Sequence, residues 1–129
     1  MEDRYLYRAK RKNWRELPTE MWWVEGYLYG IWERRYILWG MTNDVPNMVE
    51  VDPSTICQCT GMKDKNGKLI LENDIVRISG HIYVCYWDEY NFEWGLKSKT
   101  ETVGLGYIDK YIIEVIGNKF DNPELLEVE

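Results

Sequence analysis

The sequence predicts a mainly β fold: a small, barrel-like antiparallel domain with a short helical turn near its end. Two observations support this class. Segments rich in Trp, Tyr, Val and Ile, which suit a pleated sheet, recur along the chain. Turn residues separate these segments at short, regular spacing, as is typical of barrels and sandwiches. A length of 129 residues fits one domain, so we expect residues 1–129 to fold as a single domain.

The predicted strands follow one another closely. Asn66-Gly67 predicts a type I′ hairpin turn, because both central residues of that turn need positive φ. Residues 40–55 are rich in Gly, Asn, Asp and Pro and predict a loop. Pro123 begins a helical turn that extends to Leu126. The predicted strands cover residues 5–10, 21–31, 35–39, 60–62, 69–71, 74–78, 82–87, 92–96 and 112–116.

Hydropathy and cysteine content predict a compartment. No apolar run approaches the ~18 residues that span a bilayer, and the first residues lack the apolar core of a secretory signal. The three cysteines cannot all pair within one chain, which favours reduced thiols. We therefore expect a cytoplasmic protein without a membrane partner.

The charge distribution bears on nucleic-acid binding. A net charge of −6 counts against it, because neutralising phosphates requires clustered Lys and Arg. One local basic cluster exists nevertheless, and we interpret it as a solvated strand end and loop. The cluster consists of Arg8, Lys10, Arg11, Lys12 and Arg15.

Several segments, taken in order, resemble one family. Residues 7–11 read YRAKR, 23–28 WVEGYL, 51–56 VDPSTI, 58–67 QCTGMKDKNG, 72–76 ENDIV and 114–126 EVIGNKFDNPELL. In these segments the chain is similar to the YopX-like family of phage and prophage proteins. It departs from the family pattern at Cys57 and Asn73, where Gly is usual, and at Cys59, where an aromatic residue is usual.

The resemblance implies a setting rather than a reaction. It implies a mainly β phage or prophage protein, in the cytoplasm of a bacterial host, and it supplies no catalytic residue. Most motif residues are turn formers, which favours a role in specifying the fold over a shared binding surface. These residues are Thr60, Gly61, Asp64, Asn66, Gly67, Asp74, Gly117, Asn118 and Pro123.

A metal site is the sharpest chemical alternative in the sequence. Cys57 and Cys59 would share one face of a strand, as would His81 and Cys85, and together they could hold zinc. Cys-x-Cys is not the usual spacing of a zinc knuckle, however. No nucleophile motif, P-loop or dinucleotide fingerprint is present either. The sequence therefore predicts no metal, no cofactor and no enzymatic activity.

The aromatic content has two interpretations: a large aromatic core that is wetted at its edge, or exposed aromatic residues that bind a partner. Seven Trp and ten Tyr exceed what a small β core usually needs, and the adjacent Trp22 and Trp23 would face opposite sides of a strand. We expect a non-enzymatic protein-interaction module that binds an unknown protein or associates with itself as a homo-oligomer. The alternative is a nucleic-acid-binding module. The candidate binding residues are Trp22, Trp23, Arg8, Arg11 and Arg15.

Overall fold

The computed structural model describes residues 5–127. It is mainly β, and the strands form two open antiparallel sheets, neither of which closes into a barrel. Contacts divide the chain into two compact units, residues 1–59 and residues 60–129. The mainly β, antiparallel class is confirmed, and the single-domain organisation stays a prediction.

The first unit is built on a meander. Its strands are hydrogen-bonded in the order β4-β3-β2-β1-β5. β2 changes partner along its length, since Trp23–Gly26 pair with β1 and Tyr27–Ile31 pair with β3. The strands are β1 (Tyr7–Lys10), β2 (Trp23–Ile31), β3 (Arg34–Thr42), β4 (Val45–Val51) and the beginning of β5 (Cys57–Lys63).

Two-residue turns join β2 to β3, at residues 32–33, and β3 to β4, at residues 43–44. Asn43 and Asp44 join β3 to β4 and have φ values of 52° and 64°, the pattern of a type I′ hairpin. The expected loop over residues 40–55 is therefore wrong in part: most of it is strand. Asn and Asp accept positive φ more readily than other residues with a Cβ, and for that reason they can form this turn.

Alternation along the strands separates two faces of the first unit. The inward face supplies the buried Ala9, Val24, Ile37 and Val51. Tyr7, Leu28, Val49 and Ile56 pack against these four side chains. The residues between them point to the opposite surface, which we call the outer face.

The second unit contains the end of β5, which pairs with β6, and a five-stranded sheet in the order β10-β9-β8-β7-β11. Its buried core includes Ile70, Val76, Cys85, Leu96 and Ile113. The strands are β6 (Leu69–Leu71), β7 (Asp74–Ile78), β8 (His81–Asp88), β9 (Glu93–Lys97), β10 (Thr102–Gly104) and β11 (Glu114–Asn118).

Helical structure within residues 5–127 is limited to 3₁₀ turns. The last of them, Pro123–Glu127, confirms the C-terminal helical turn. Further 3₁₀ turns are Trp14–Glu16, Thr19–Met21, Pro53–Thr55, Leu105–Tyr107 and Lys110–Ile112. In the part of the chain that the structure describes, no helix has the length and apolar character needed to cross a membrane.

Candidate functional site

A buried lysine lies at the end of β1. Lys10 is only 3% exposed. A charged side chain is almost never buried so deeply unless other groups interact with its charge. Its neighbour across the sheet is Trp23, with which it is paired in the β1–β2 register. Paired residues share a face, so Lys10 and Trp23 both lie on the outer face.

Three indole rings surround the ammonium group of Lys10. Its Nζ lies 4.0 Å from the ring centroid of Trp14, 4.3 Å from that of Trp22 and 5.3 Å from that of Trp23. Trp14 and Trp22 meet edge to face, with centroids 4.9 Å apart. A cation over aromatic faces is attracted by the ring quadrupole, and the attraction is stronger where water is excluded. We call these four residues the tryptophan cluster.

Hydrogen bonds fix the orientation of two of the rings. Trp22 Nε1 donates to the Leu17 carbonyl at 2.9 Å, and Trp14 Nε1 donates to the Asp52 carboxylate at 3.2 Å. Burial acts to raise the pKa of Asp52, but hydrogen bonds from Ser54 and Trp14 outweigh it and leave the pKa below its ordinary value. The carboxylate therefore remains a charged acceptor, which strengthens its bond to the indole.

Two of the predicted cations stack on the same rings. The guanidinium of Arg8 lies 5.1 Å from the ring centroid of Trp23, and that of Arg15 lies 4.4 Å from the centroid of Trp14. The structure thus brings Arg8, Arg15 and both predicted tryptophans into one place. Trp22 lies outside β2, however, so Trp22 and Trp23 do not present opposite faces of one strand.

The remaining cations of the basic cluster also have partners within the first unit. Arg11 Nη1 donates to the Met21 carbonyl, and Lys12 forms an ion pair with Glu50 at 2.9 Å. The cluster was expected to be solvated. Lys12 and Arg15 are indeed exposed, whereas Lys10 is buried, and rings, carbonyls or carboxylates of the first unit contact each cation of the cluster.

Replacing Lys10 tests whether the tryptophan cluster stabilises the fold. We expect Lys10→Ala to lower the free energy of unfolding by about 3 kcal/mol, because it removes both the cation and the volume that the rings enclose. Lys10→Met keeps most of the volume, so we expect a loss of about 1–2 kcal/mol. Urea denaturation followed by tryptophan fluorescence measures both.

The exposed Lys12 supplies the control. Lys12→Ala removes only a surface ion pair and should change the free energy of unfolding by less than about 0.5 kcal/mol. If both Lys10 variants behave like Lys12→Ala, the enclosed ammonium does not contribute to stability.

Beyond the tryptophan cluster, the outer face of β2, β3 and β4 carries apolar and aromatic side chains. The strand register pairs Tyr27 with Leu38 and Leu38 with Met48, and it pairs Tyr29 with Tyr36. Ile31 follows on the same side of β2. We call this surface the tyrosine face; it consists of Tyr27, Tyr29, Ile31, Tyr36, Leu38 and Met48.

The tyrosine face is accessible. The exposed fractions are 43% for Tyr27, 46% for Tyr29, 44% for Ile31 and 51% for Met48. The rings of Tyr29 and Tyr36 lie 6.3 Å apart, within the range of an aromatic pair. Exposed apolar residues are common singly, whereas a contiguous set on one sheet face is typical of an interaction surface.

The hairpin between β2 and β3 carries another exposed aromatic residue. Trp32 is 92% exposed and has a φ of 56°, a conformation that is strained for a bulky side chain. Arg35 Nη1 donates to the carbonyls of Trp32 and Arg34, at 3.1 and 2.9 Å, and so holds the turn. The turn therefore presents the large ring of Trp32 at its tip, next to Ile31 of the tyrosine face.

The motif residues of the second unit build its turns, beginning with Asp64. Asp64 is 4% exposed, and its carboxylate accepts from the backbone N–H groups of Asn66, Lys68 and Val115, each at 2.9 Å. The predicted type I′ turn is wrong: Gly67 has a φ of 80°, but Asn66 is not among the positive-φ residues. The bonds from Asn66 and Lys68 to Asp64 close a longer turn instead, and the bond from Val115 joins that turn to β11.

Asp74 and Thr60 stabilise neighbouring backbone in the second unit. Asp74 is fully buried at the start of β7, where its Oδ2 accepts from the N–H of Leu71 at 2.8 Å. Thr60 Oγ1 donates to the Ile70 carbonyl at 2.7 Å. Gly61, which has a φ of 83°, lies inside β5.

The last motif segment forms the end of β11 and the turn after it. Asn118 Oδ1 accepts from the N–H groups of Phe120 and Asp121 at 3.0 Å. A Cβ at Gly117 would lie 2.5 Å from Asn122 Oδ1, so the tight turn that leads to Pro123 has no room for one. Every motif residue of the second unit thus lies in a turn, strand or cap.

The structure also shows where the four residues of the possible zinc site lie. Cys57, Cys59 and Cys85 are buried in strands, whereas His81 is exposed at the start of β8. Among residues 5–127, no three His, Cys, Asp or Glu side chains are grouped so that they could hold a metal ion.

Comparisons with known proteins agree with the sequence resemblance. A search of the curated proteins finds no match. The family model described as "YopX protein" matches residues 7–127, which is nearly the whole chain and includes both the tyrosine face and the motif turns. The chain belongs to the YopX family.

Proposed function

We propose that the chain is a non-enzymatic protein-interaction module that binds a protein partner through the tyrosine face. The observation that carries this proposal is the accessible set of aromatic and aliphatic side chains on one face of β2, β3 and β4. The family resemblance adds a setting to the proposal: an accessory protein of a phage or prophage, acting in the cytoplasm of its bacterial host.

The chemistry of the tyrosine face suits a protein surface. Tyr side chains combine a large apolar ring with a hydroxyl group, and they are enriched among the residues that dominate binding energy. Met48 adds a flexible apolar side chain that adapts to a partner. The antiparallel strands hold the backbone of these residues in place, so binding does not have to order the chain itself.

The tryptophan cluster supports the choice of the tyrosine face over Trp22 and Trp23. Both rings are half-buried against Lys10, and an anchor residue must be able to enter a pocket on the partner. The contacts of the basic cluster within the first unit give its cations structural partners, and the net charge of −6 counts further against the nucleic-acid alternative.

The carboxylates with lowered pKa values support a non-enzymatic role. Burial acts to raise the pKa of Asp64, but three backbone N–H groups outweigh it and hold the pKa below its ordinary value. In Asp88, the side chain of Asn91 and then two backbone N–H groups lower the pKa. Each carboxylate serves as an acceptor within a turn, whereas a general base must reach a substrate.

A pull-down from bacterial host lysate, with and without nuclease, tests the proposal. We expect a protein that remains bound after nuclease treatment. The double variant Tyr27→Ala/Tyr29→Ala should bind this partner at least roughly 30-fold more weakly, because two anchor residues are removed. Isothermal titration calorimetry with the captured partner measures the affinity of the wild type and of the double variant.

The matched control removes two exposed tyrosines from the second unit. Tyr107 and Tyr111 are 83% and 70% exposed, and Tyr107→Ala/Tyr111→Ala should leave the affinity unchanged. If both double variants lose the partner equally, the tyrosine face is not the binding surface. Release by nuclease would favour the nucleic-acid alternative. Should the captured protein be a second copy of the chain, sedimentation must show a dimer that the Tyr27/Tyr29 variant lacks.

A further inference from the structure

A small pocket lies in the second unit, on the face of β8 and β9 opposite the core. Ile82 and Val84 alternate along β8 with the buried Tyr83 and Cys85, so their side chains point away from the core. The pocket has a volume of about 210 Å³. Its lining consists of Ile82, Val84, Lys97, Ser98, Lys99 and Leu126.

The lining combines an apolar surface with positive charge. Ile82, Val84 and Leu126 provide aliphatic contacts, while Lys97 and Lys99 bring two ammonium groups. Among residues 5–127, the side chains that line the pocket include no carboxylate, although the chain as a whole carries a net charge of −6. Selective placement of two cations beside an apolar surface is complementary to a ligand that is apolar at one end and anionic at the other.

The loop that carries the two lysines is held by hydrogen bonds. Ser98 Oγ accepts from the N–H groups of Thr100 and Glu101, each at 3.2 Å, and Ser98 N donates to the Glu101 carbonyl at 2.9 Å. Lys97 pairs with Val84 across the β8–β9 register, and its Nζ lies 4.9 Å from the ring centroid of Tyr86. The strand and the turn therefore fix the backbone at Lys97 and Lys99, the two lysines that line the pocket.

We propose that this pocket binds a short aliphatic carboxylate, with the hydrocarbon chain on Ile82, Val84 and Leu126 and the carboxylate between Lys97 and Lys99. A volume of about 210 Å³ is large enough for a short hydrocarbon chain that ends in a carboxylate group. Hexanoate and the C-terminal leucine of a peptide are both close to this size. The proposal is independent of the tyrosine face, which lies in the first unit.

NMR titration of the ¹⁵N-labelled full chain tests this proposal with matched probes. We expect hexanoate to cause saturable shifts in the amide signals of Val84 and residues 97–99, with a dissociation constant of about 1 mM. Hexanol has the same chain without the charge and should bind at least about tenfold more weakly, because it loses the charge-assisted bonds to lysine.

Two pairs of variants separate the charge from the rest of the surface. Lys97→Met/Lys99→Met should weaken hexanoate binding about tenfold and leave hexanol binding unchanged. The control Lys63→Met/Lys68→Met removes two exposed lysines elsewhere in the second unit and should change neither. An unchanged pattern of well-dispersed amide signals verifies that each variant is folded.

The source of the carboxylate is distinguished by two further probes. N-acetyl-leucine binding more tightly than hexanoate would assign the pocket to a peptide C-terminus, provided that N-acetyl-leucinamide binds more weakly. Tighter binding of hexanoate would assign it to a free acid. Equal binding of hexanoate and hexanol would overturn the proposal, as would shifts that never saturate or that spare residues 82–84 and 97–99.

Discussion

Gly26→Ala is expected to disrupt the first unit. Gly26 is buried at the point where β2 leaves β1 and begins to pair with β3. A Cβ there would lie 2.1 Å from the carbonyl oxygen of Leu38, a backbone atom that cannot move aside without displacing β3. We expect the free energy of unfolding to fall by at least about 3 kcal/mol, the upper range for overpacking. Urea denaturation followed by tryptophan fluorescence measures the loss.

A second glycine controls for the general effect of the substitution. No atom lies within 4 Å of a Cβ built at Gly106, so Gly106→Ala should remain within about 0.5 kcal/mol of the wild type. If Gly26→Ala is as stable as Gly106→Ala, then β2 and β3 do not approach each other closely enough at Gly26 to exclude a Cβ.

Asp64→Ala is expected to destabilise the second unit by about 3 kcal/mol at pH 7. The variant leaves the N–H groups of Asn66, Lys68 and Val115 without their shared charged acceptor, and each donor that loses such a bond in a partly buried position lowers the stability of the fold. The bond to Val115 also ties the turn to β11, so the effect should extend beyond the turn. Urea denaturation by circular dichroism measures the difference.

Asp88→Ala is the matched control for Asp64→Ala. Asp88 also accepts three hydrogen bonds in a turn, from Tyr90 N, Asn91 N and Asn91 Nδ2, but it is less buried than Asp64. Water can replace this carboxylate, so we expect a clearly smaller loss of stability. Equal losses in the two variants would mean that burial of Asp64 contributes nothing.

The lowered pKa of Asp64 gives this prediction a pH dependence. The folded state binds its proton more weakly than the unfolded state, whose carboxyl has a pKa of about 3.9. The resulting stabilisation is present above about pH 4 and is lost as the pH falls through the folded pKa. The difference in urea midpoint between wild type and Asp64→Ala should therefore narrow below about pH 4. A constant gap would contradict the lowered pKa.

Local patterns predicted much of the second unit. The predicted strand over residues 74–78 coincides with β7, and that over 82–87 lies within β8, because β-branched and aromatic residues alternate there with little competing turn chemistry. β4 was not predicted because Pro46 and Asn47 are residues typical of turns and because the outer face of this strand is exposed. The Asn43-Asp44 dipeptide was the available signal for that hairpin.

The candidate site was only partly predictable. The alternation of Tyr27, Tyr29 and Ile31 along β2 is visible in the sequence and could have indicated the tyrosine face. The enclosure of Lys10 could not be foreseen, because it depends on a chain reversal that brings Trp22 back to β1. Side-chain pairings between distant segments arise from tertiary structure, and propensity carries no information about them.

The two edge-to-face tryptophan pairs give the chain a spectroscopic consequence. Trp14 and Trp22 form one pair in the first unit, and Trp87 and Trp94, with centroids 5.2 Å apart at 71°, form another in the second. Indoles this close couple their electronic transitions and produce signed bands in circular dichroism. Replacing Trp14 or Trp87 by Phe subtracts one band and leaves the other. Each unit therefore contains its own optical reporter, with which the melting of residues 1–59 and of residues 60–129 can be followed separately in the unlabelled protein.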